Sequence, residues 1–175
     1  MNESIVKKLA DDTLSLPGLA AAPDLLSKQQ APMAFRIPIK VELWTEEGIR
    51  KRARVTPGMK GYSVFELLSD EGTSMPPGTD SAPAPLAYFA AGAAFCLASH
   101  LTLLINQKHL NVRQFKMESE LWFSYSQEGR GLCLGLRTLV DFDSDEPAQR
   151  IRELVSEAKG LCLVVNSVNV RRFLG

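Results

Sequence analysis

The run from Pro85 to Ile105 carries no charged residue and is dominated by alanine and leucine, whereas the stretches on either side alternate apolar and polar positions. A segment of that kind is a helix that must be covered, and alternation on both sides demands sheet to cover it. By count it reaches the roughly 20 residues that cross a bilayer. Its alanines, together with Gly92, Ser99, His100 and Thr102, dilute its hydropathy, so the expectation is a buried core helix and no membrane partner.

The rest of the order follows from period and punctuation. Ile37, Ile39, Val41 and Leu43 alternate with polar neighbours, and Glu46, Glu47 and Gly48 make a turn. Arg50, Arg52 and Arg54 then alternate with Lys51, Ala53 and Val55, and a third strand runs from Tyr62 to Leu68. This predicts a three-stranded antiparallel meander. A Gly-, Pro- and Ser-rich loop over 69–84 leads to Pro85, well placed in the first turn of the helix.

Beyond the helix, Phe115, Met117, Ser119, Leu121, Phe123 and Tyr125 share one strand face. A turn at Glu128 to Gly131 leads into Leu132, Leu134, Leu136, Thr138, Val140 and Phe142, completing a second hairpin. Ser144 to Pro147 open a second helix carrying Ile151, Leu154, Val155 and Ala158, with Gly160 as its expected stop and Cys162 just beyond. The predicted class is α+β, helices packed on antiparallel sheet. Residues 36–175 form the domain, and 1–35, punctuated by Pro17, Pro23 and Pro32 after a short helical spacing at Ile5 and Leu9, read as an N-terminal extension.

Composition narrows function. Lys plus Arg and Asp plus Glu number 20 each, so there is no electrostatic footprint for nucleic acid. Three cysteines do not make a secreted disulfide framework, and Asp11 and Asp12 break any signal-peptide layout, so the expected compartment is the cytoplasm. No phosphate loop, CxxC or nucleophile elbow occurs.

Cysteine is therefore the one reactive signature. On the first helix Cys96 and His100 are one turn apart, where an imidazole neighbour raises the thiolate fraction that nucleophilic sulfur chemistry needs. Cys133 falls on a strand and reads as structural. Neither cofactor nor metal is expected: Cys96, His100 and Cys162 are only three ligands and lack the paired spacing of a structural zinc site. The alternating arginines Arg50, Arg52 and Arg54 read first as a solvated sheet surface, the other reading being a clamp for an anion or a reacting thiolate.

The segment Pro85-Leu-Ala-Tyr-Phe-Ala-Ala-Gly-Ala-Ala-Phe-Cys96 resembles the helix bearing the first cysteine of the OsmC/Ohr family, the osmotically inducible and organic hydroperoxide resistance proteins. Cys162-Leu-Val-Val-Asn166-Ser167, 66 positions later, is similar to the family's second cysteine motif, and "LLSDEG" ahead of the loop matches as well. The resemblance spans about residues 36–172. It implies a two-layer α+β fold, antiparallel sheets wrapped around central helices in an intertwined homodimer.

It further implies that Cys96 attacks an organic hydroperoxide, that Cys162 resolves the product as a disulfide, and that a lipoyl-type dithiol is the reductant. Two departures stand out. Leu86 and Ala87 occupy positions where the family has a glutamate, and Leu163 follows Cys162 where the family has proline. With that acid gone, His100 is the expected thiolate activator, and Arg50 is the nearest candidate for the arginine that the family pairs with the acid. The alternative is a non-catalytic OsmC-like protein that holds an apolar, lipid-like ligand around Phe89, Phe95 and Cys96.

Overall fold

A computed structural model describes residues 3–10 and 37–168. The chain forms two compact units that divide at Pro85. The first is a four-stranded antiparallel sheet of β1 (Val6–Ala10), β2 (Ile39–Thr45), β3 (Lys51–Pro57) and β4 (Val64–Ser69), in the order β1-β4-β3-β2. The expected meander is the β2-β3-β4 part, turned at Gly48, whose φ of 71° suits glycine.

The spacing of Ile5 and Leu9 misled: Val6–Ala10 is a strand, registered Val6 to Leu67 and Lys7 to Glu66. Five residues with two lysines carry little helical drive of their own, and the open edge of β4 offers the backbone partners that decide the matter. After β4 the loop closes on Asp70, a buried carboxylate. Its oxygens accept the N–H groups of Glu71, Thr79 and Ser81 and the hydroxyls of Thr79 and Ser81, at 2.6–3.1 Å.

The second unit contains α1 (Pro85–Gln107), the hairpin β5 (Val112–Tyr125) and β6 (Gly131–Ser144), then α2 (Ala148–Leu161) and α3 (Leu163–Val168). Its core joins Leu97, Leu101 and Leu104 of α1 to Leu154 and Ala158 of α2, Cys162, and Val165 of α3. Phe115, Met117, Leu136, Val140 and Phe142 from one face of the hairpin pack against them. The α+β expectation holds, with helices laid on antiparallel sheet.

Helix α1 differs from the fully buried helix expected from its composition. It covers one stripe, Ala93, Leu97, Leu101 and Leu104, and leaves Leu86, Phe89, Phe95 and Leu103 open to solvent. It is also the one described helix long and apolar enough to span a membrane, with 22% of its most apolar window buried in the chain. Its C-terminus is a Schellman turn: the Leu110 N–H donates to the Ile105 carbonyl at 3.0 Å and the His109 N–H to that of Asn106 at 3.3 Å. His109 takes the left-handed position, φ 50°.

Two local expectations give way in the same unit. A bulge shifts the hairpin register, so that Trp122 faces Gly135 but Phe123 faces Cys133, and Leu134 is turned outward. Gly135 has φ 139°, which admits the extra residue. Strict alternation would have put Leu134 inside and Cys133 with Arg137 and Asp141, whereas Cys133 is half-buried opposite Phe123. Gly160 does not stop α2: the helix runs on through Leu161 and ends at Cys162, where the chain becomes extended at φ −71°, ψ 110°.

Candidate functional site

Cys96 and His100 are fixed by helical geometry, since residues four apart stack on one face of α1. They flank the buried stripe, so both are only half-buried. Cys162 is fixed by the break between α2 and α3. Its N–H donates to the Ala158 carbonyl at 3.0 Å, closing α2, and its own carbonyl accepts the Asn166 N–H at 3.1 Å, opening α3. The Asn166 side-chain amide donates to the Gly160 carbonyl at 2.9 Å and straps the two helices together. The Cys162 side chain is thereby driven into the core, with no solvent exposure.

The fold brings the three groups to one point. The Cys96 and Cys162 sulfurs and a ring nitrogen of His100 all lie within 4.8 Å of one another. His100 Nδ1 is 4.0 Å from Cys96 Sγ and 2.8 Å from the Cys96 carbonyl oxygen. A carbonyl only accepts, so Nδ1 carries the hydrogen and donates it there. The Nδ1 atom that faces the sulfur therefore has no lone pair to act as a base toward it.

Burial pushes the Cys162 thiol above the ordinary thiol range, and Cys96 beside it pushes the same way. The N–H groups of Val165 and Val164 at the start of α3 pull against both. Cys162 is thus held protonated in the core while Cys96 is the sulfur an outside molecule can reach. The amides of α3 were not foreseeable as part of this site, because residues 163–168 carry no cap or charge that marks so short a helix.

Arg50 belongs to the first unit, and what surrounds it there is acid. Its Nη2 meets Glu3 at 2.5 Å and its Nε meets Glu46 at 3.0 Å. Arg52 meets Glu3, Glu46 and Glu66, and Arg54 lies over the Trp44 ring at 5.7 Å. Arg50 and Arg52 are thus held in a lattice of ion pairs, whereas Arg54 is exposed.

A helix-on-hairpin α+β unit that sets a reachable thiol on one helix against a buried thiol between two others defines a class of paired-cysteine proteins. The family model for OsmC-like protein matches residues 78–171, more than half of the chain, and this chain belongs to that family. No curated protein sequence matches it.

Among solved structures it is similar to an OsmC-like protein from Mycoplasma pneumoniae (TM-score 0.58, 17% identity, 81% of this chain and 91% of that one). It is likewise similar to an organic hydroperoxide resistance protein from Elizabethkingia anophelis (0.59, 15%, 78% and 91%). An organic hydroperoxide resistance protein OsmC from Legionella pneumophila gives 0.54 at 17% identity, over 79% and 92%. At these identities the likeness establishes the fold.

Proposed function

We propose that this chain is a thiol-dependent peroxidase that reduces organic hydroperoxides through Cys96 and Cys162, in oxidative-stress defence. The observation that carries the reading is the convergence of both sulfurs and an imidazole within 4.8 Å. Family membership and the hydroperoxide-resistance proteins of like fold support it.

The Cys96 thiolate attacks the distal peroxide oxygen, the O–O bond breaks, and with one proton the products are an alcohol and a Cys96 sulfenic acid. The Cys162 thiol then attacks the sulfenic sulfur, expelling water and forming the disulfide. A dithiol, lipoyl-type by the family resemblance, returns both thiols and leaves oxidised. Exposure supports this division of labour, because Cys96 can meet a bulky peroxide whereas Cys162 cannot.

His100 takes the part of the missing family acid, as the polar ring held beside the Cys96 sulfur. Arg50 has its charge taken up by Glu3 and Glu46, which favours His100 over it as the activator. The apolar side chains left open, Phe95 at 70% exposure and Tyr125 at 78% among them, favour a homodimer as the working form. The compartment we propose is the cytoplasm, where reductants keep such thiols cycling.

The test is intact mass and peptide mapping of the reduced protein after one equivalent of cumene hydroperoxide. Loss of two hydrogens with a Cys96–Cys162 bridge, abolished in Cys96→Ser, is expected. His100→Gln should slow the reaction by about tenfold, which corresponds to about 1.4 kcal/mol of lost stabilisation. Equal, slow oxidation of all three cysteines would overturn the reading and leave the second one, a non-catalytic scaffold binding an apolar ligand around Phe89 and Phe95, which the absent glutamate favours.

A further inference from the structure

The spacing of Cys96, His100 and Cys162 along the chain argues against a metal, yet the fold supplies the convergence that the spacing lacks. Two sulfurs and one imidazole nitrogen within 4.8 Å of one another are a soft donor set with no carboxylate in it. We propose that reduced Cys96 and Cys162, together with His100, form a three-ligand site for a thiophilic divalent cation, Zn2+ being the type, with the fourth position open.

Distances come first. Zn–S bonds of about 2.3 Å and Zn–N bonds of about 2.0–2.1 Å put tetrahedral donors roughly 3.5–3.8 Å apart. Both sulfurs and a ring nitrogen of His100 lie within 4.8 Å of one another, so the cluster needs a contraction of about 1 Å. That is within the reach of rotamer adjustment at two half-buried side chains.

The imidazole is prepared in the way metal-binding histidines are. Its Nδ1 hydrogen is donated to the Cys96 carbonyl at 2.8 Å, which fixes the ring and leaves the Nε2 lone pair as the free ligand atom. Charge comes next. Two thiolates side by side in a core are costly, and one divalent cation between them with neutral imidazole makes a set of zero net charge. Binding breaks two S–H bonds, forms two Zn–S bonds and one Zn–N bond, and releases two protons to solvent.

Selectivity follows from donor type. Thiolate and imidazole suit Zn2+ and its thiophilic relatives and discriminate against Mg2+ and Ca2+, which require oxygen ligands. Cys96 is only half-buried, so the solvent-side approach of the ion, and of water or an external thiol as fourth ligand, is at this sulfur.

The experiment uses the full chain, reduced and freed of metal by a chelator, titrated with Co2+ as the spectroscopic probe and then with Zn2+. One equivalent of Co2+ should raise thiolate-to-metal charge-transfer bands with the intense visible bands of tetrahedral cobalt, and Zn2+ should bleach them. Cys133→Ser should behave as wild type. His100→Gln should weaken binding by more than the roughly 10- to 100-fold that an outer-shell partner is worth.

The wild-type chain provides a reading that depends on no variant's folding. It has two histidines, so Zn2+ should shift the ring resonances of His100 and leave those of His109 in place. Absence of the charge-transfer bands, an unmoved His100 ring, or full-strength binding in His100→Gln or Cys162→Ser would each overturn the site. No step involves a peroxide, so this result stands apart from that of the peroxidase test.

Discussion

Asp70 shows how one buried charge sets a loop. Hydrogen bonds from the Thr79 hydroxyl first, then from Ser81 and the Glu71 amide, hold its carboxyl far below the usual carboxylate range. A carboxyl whose folded pKa is depressed stabilises the fold above its unfolded pKa, about 4, and loses that contribution as pH falls toward the folded value. Asp70→Asn should therefore lower the Tm by several degrees at neutral pH, with the gap to wild type narrowing as the wild-type carboxyl protonates. Thermal melts at pH 7 and at the lowest pH the fold tolerates measure both. The paired thiols give a second expectation at this scale: iodoacetamide near pH 8 should label Cys96 roughly tenfold or more faster than Cys162, since alkylation needs both access and thiolate. Timed peptide mapping reads the two rates, and equal labelling would mean that Cys162 is not buried in solution. The Cys96–His100 adjacency was legible because it is a property of any helix. The approach of Cys162 was legible only through the family resemblance, because spacing cannot give it: it depends on where α2 stops, and Gly160 pointed to a stop two residues early.

Elements were legible where local chemistry and tertiary demand agree. The β2-β3-β4 meander, the long hairpin and both long helices follow from period and turn residues. The failures occur where a neighbour decides: Val6–Ala10 becomes a strand because β4 has an edge to offer, and the β6 face flips at Leu134 because Gly135 admits a bulge. The C-terminus of α1 supplies a prediction of its own. The Schellman turn asks for a left-handed residue at the position His109 occupies, and a side chain there costs about 1–2 kcal/mol relative to glycine. His109→Gly should accordingly stabilise the protein by about 1 kcal/mol, part of the gain being returned as greater freedom of the unfolded chain. Urea unfolding with an unchanged m-value is the check, and a loss of stability would mean that the imidazole makes a contact worth more than the backbone strain.

At the scale of the whole molecule, the outstanding feature is how much apolar surface one chain leaves uncovered. On α1, Leu86, Phe89, Phe95 and Leu103 are exposed, Phe95 on the side away from the Leu97–Leu101 stripe, and the outer side of the hairpin presents Trp122, Leu134 and Leu139. So many large apolar side chains left open point to surfaces that meet a partner or ligand. A second copy of the chain, proposed above, would cover them and would explain why a helix with so few charges is not wholly buried by its own fold. Composition alone could not reveal this, since covering by the same chain and covering by a partner call for the same residues. Phe95 separates the two. At 70% exposure it contributes little to the protomer's own core, so Phe95→Glu should change protomer stability by only about 0.5 kcal/mol or less. A carboxylate facing an apolar partner surface, by contrast, meets a desolvation penalty that no rearrangement within one chain relieves. Sedimentation velocity should therefore find wild type at twice the chain mass and Phe95→Glu at the chain mass, with the far-UV circular dichroism of the two superimposed. A variant that still sediments as wild type would place any interface elsewhere than on the side of α1 that carries Phe95, leaving that side chain free for the apolar ligand of the second reading.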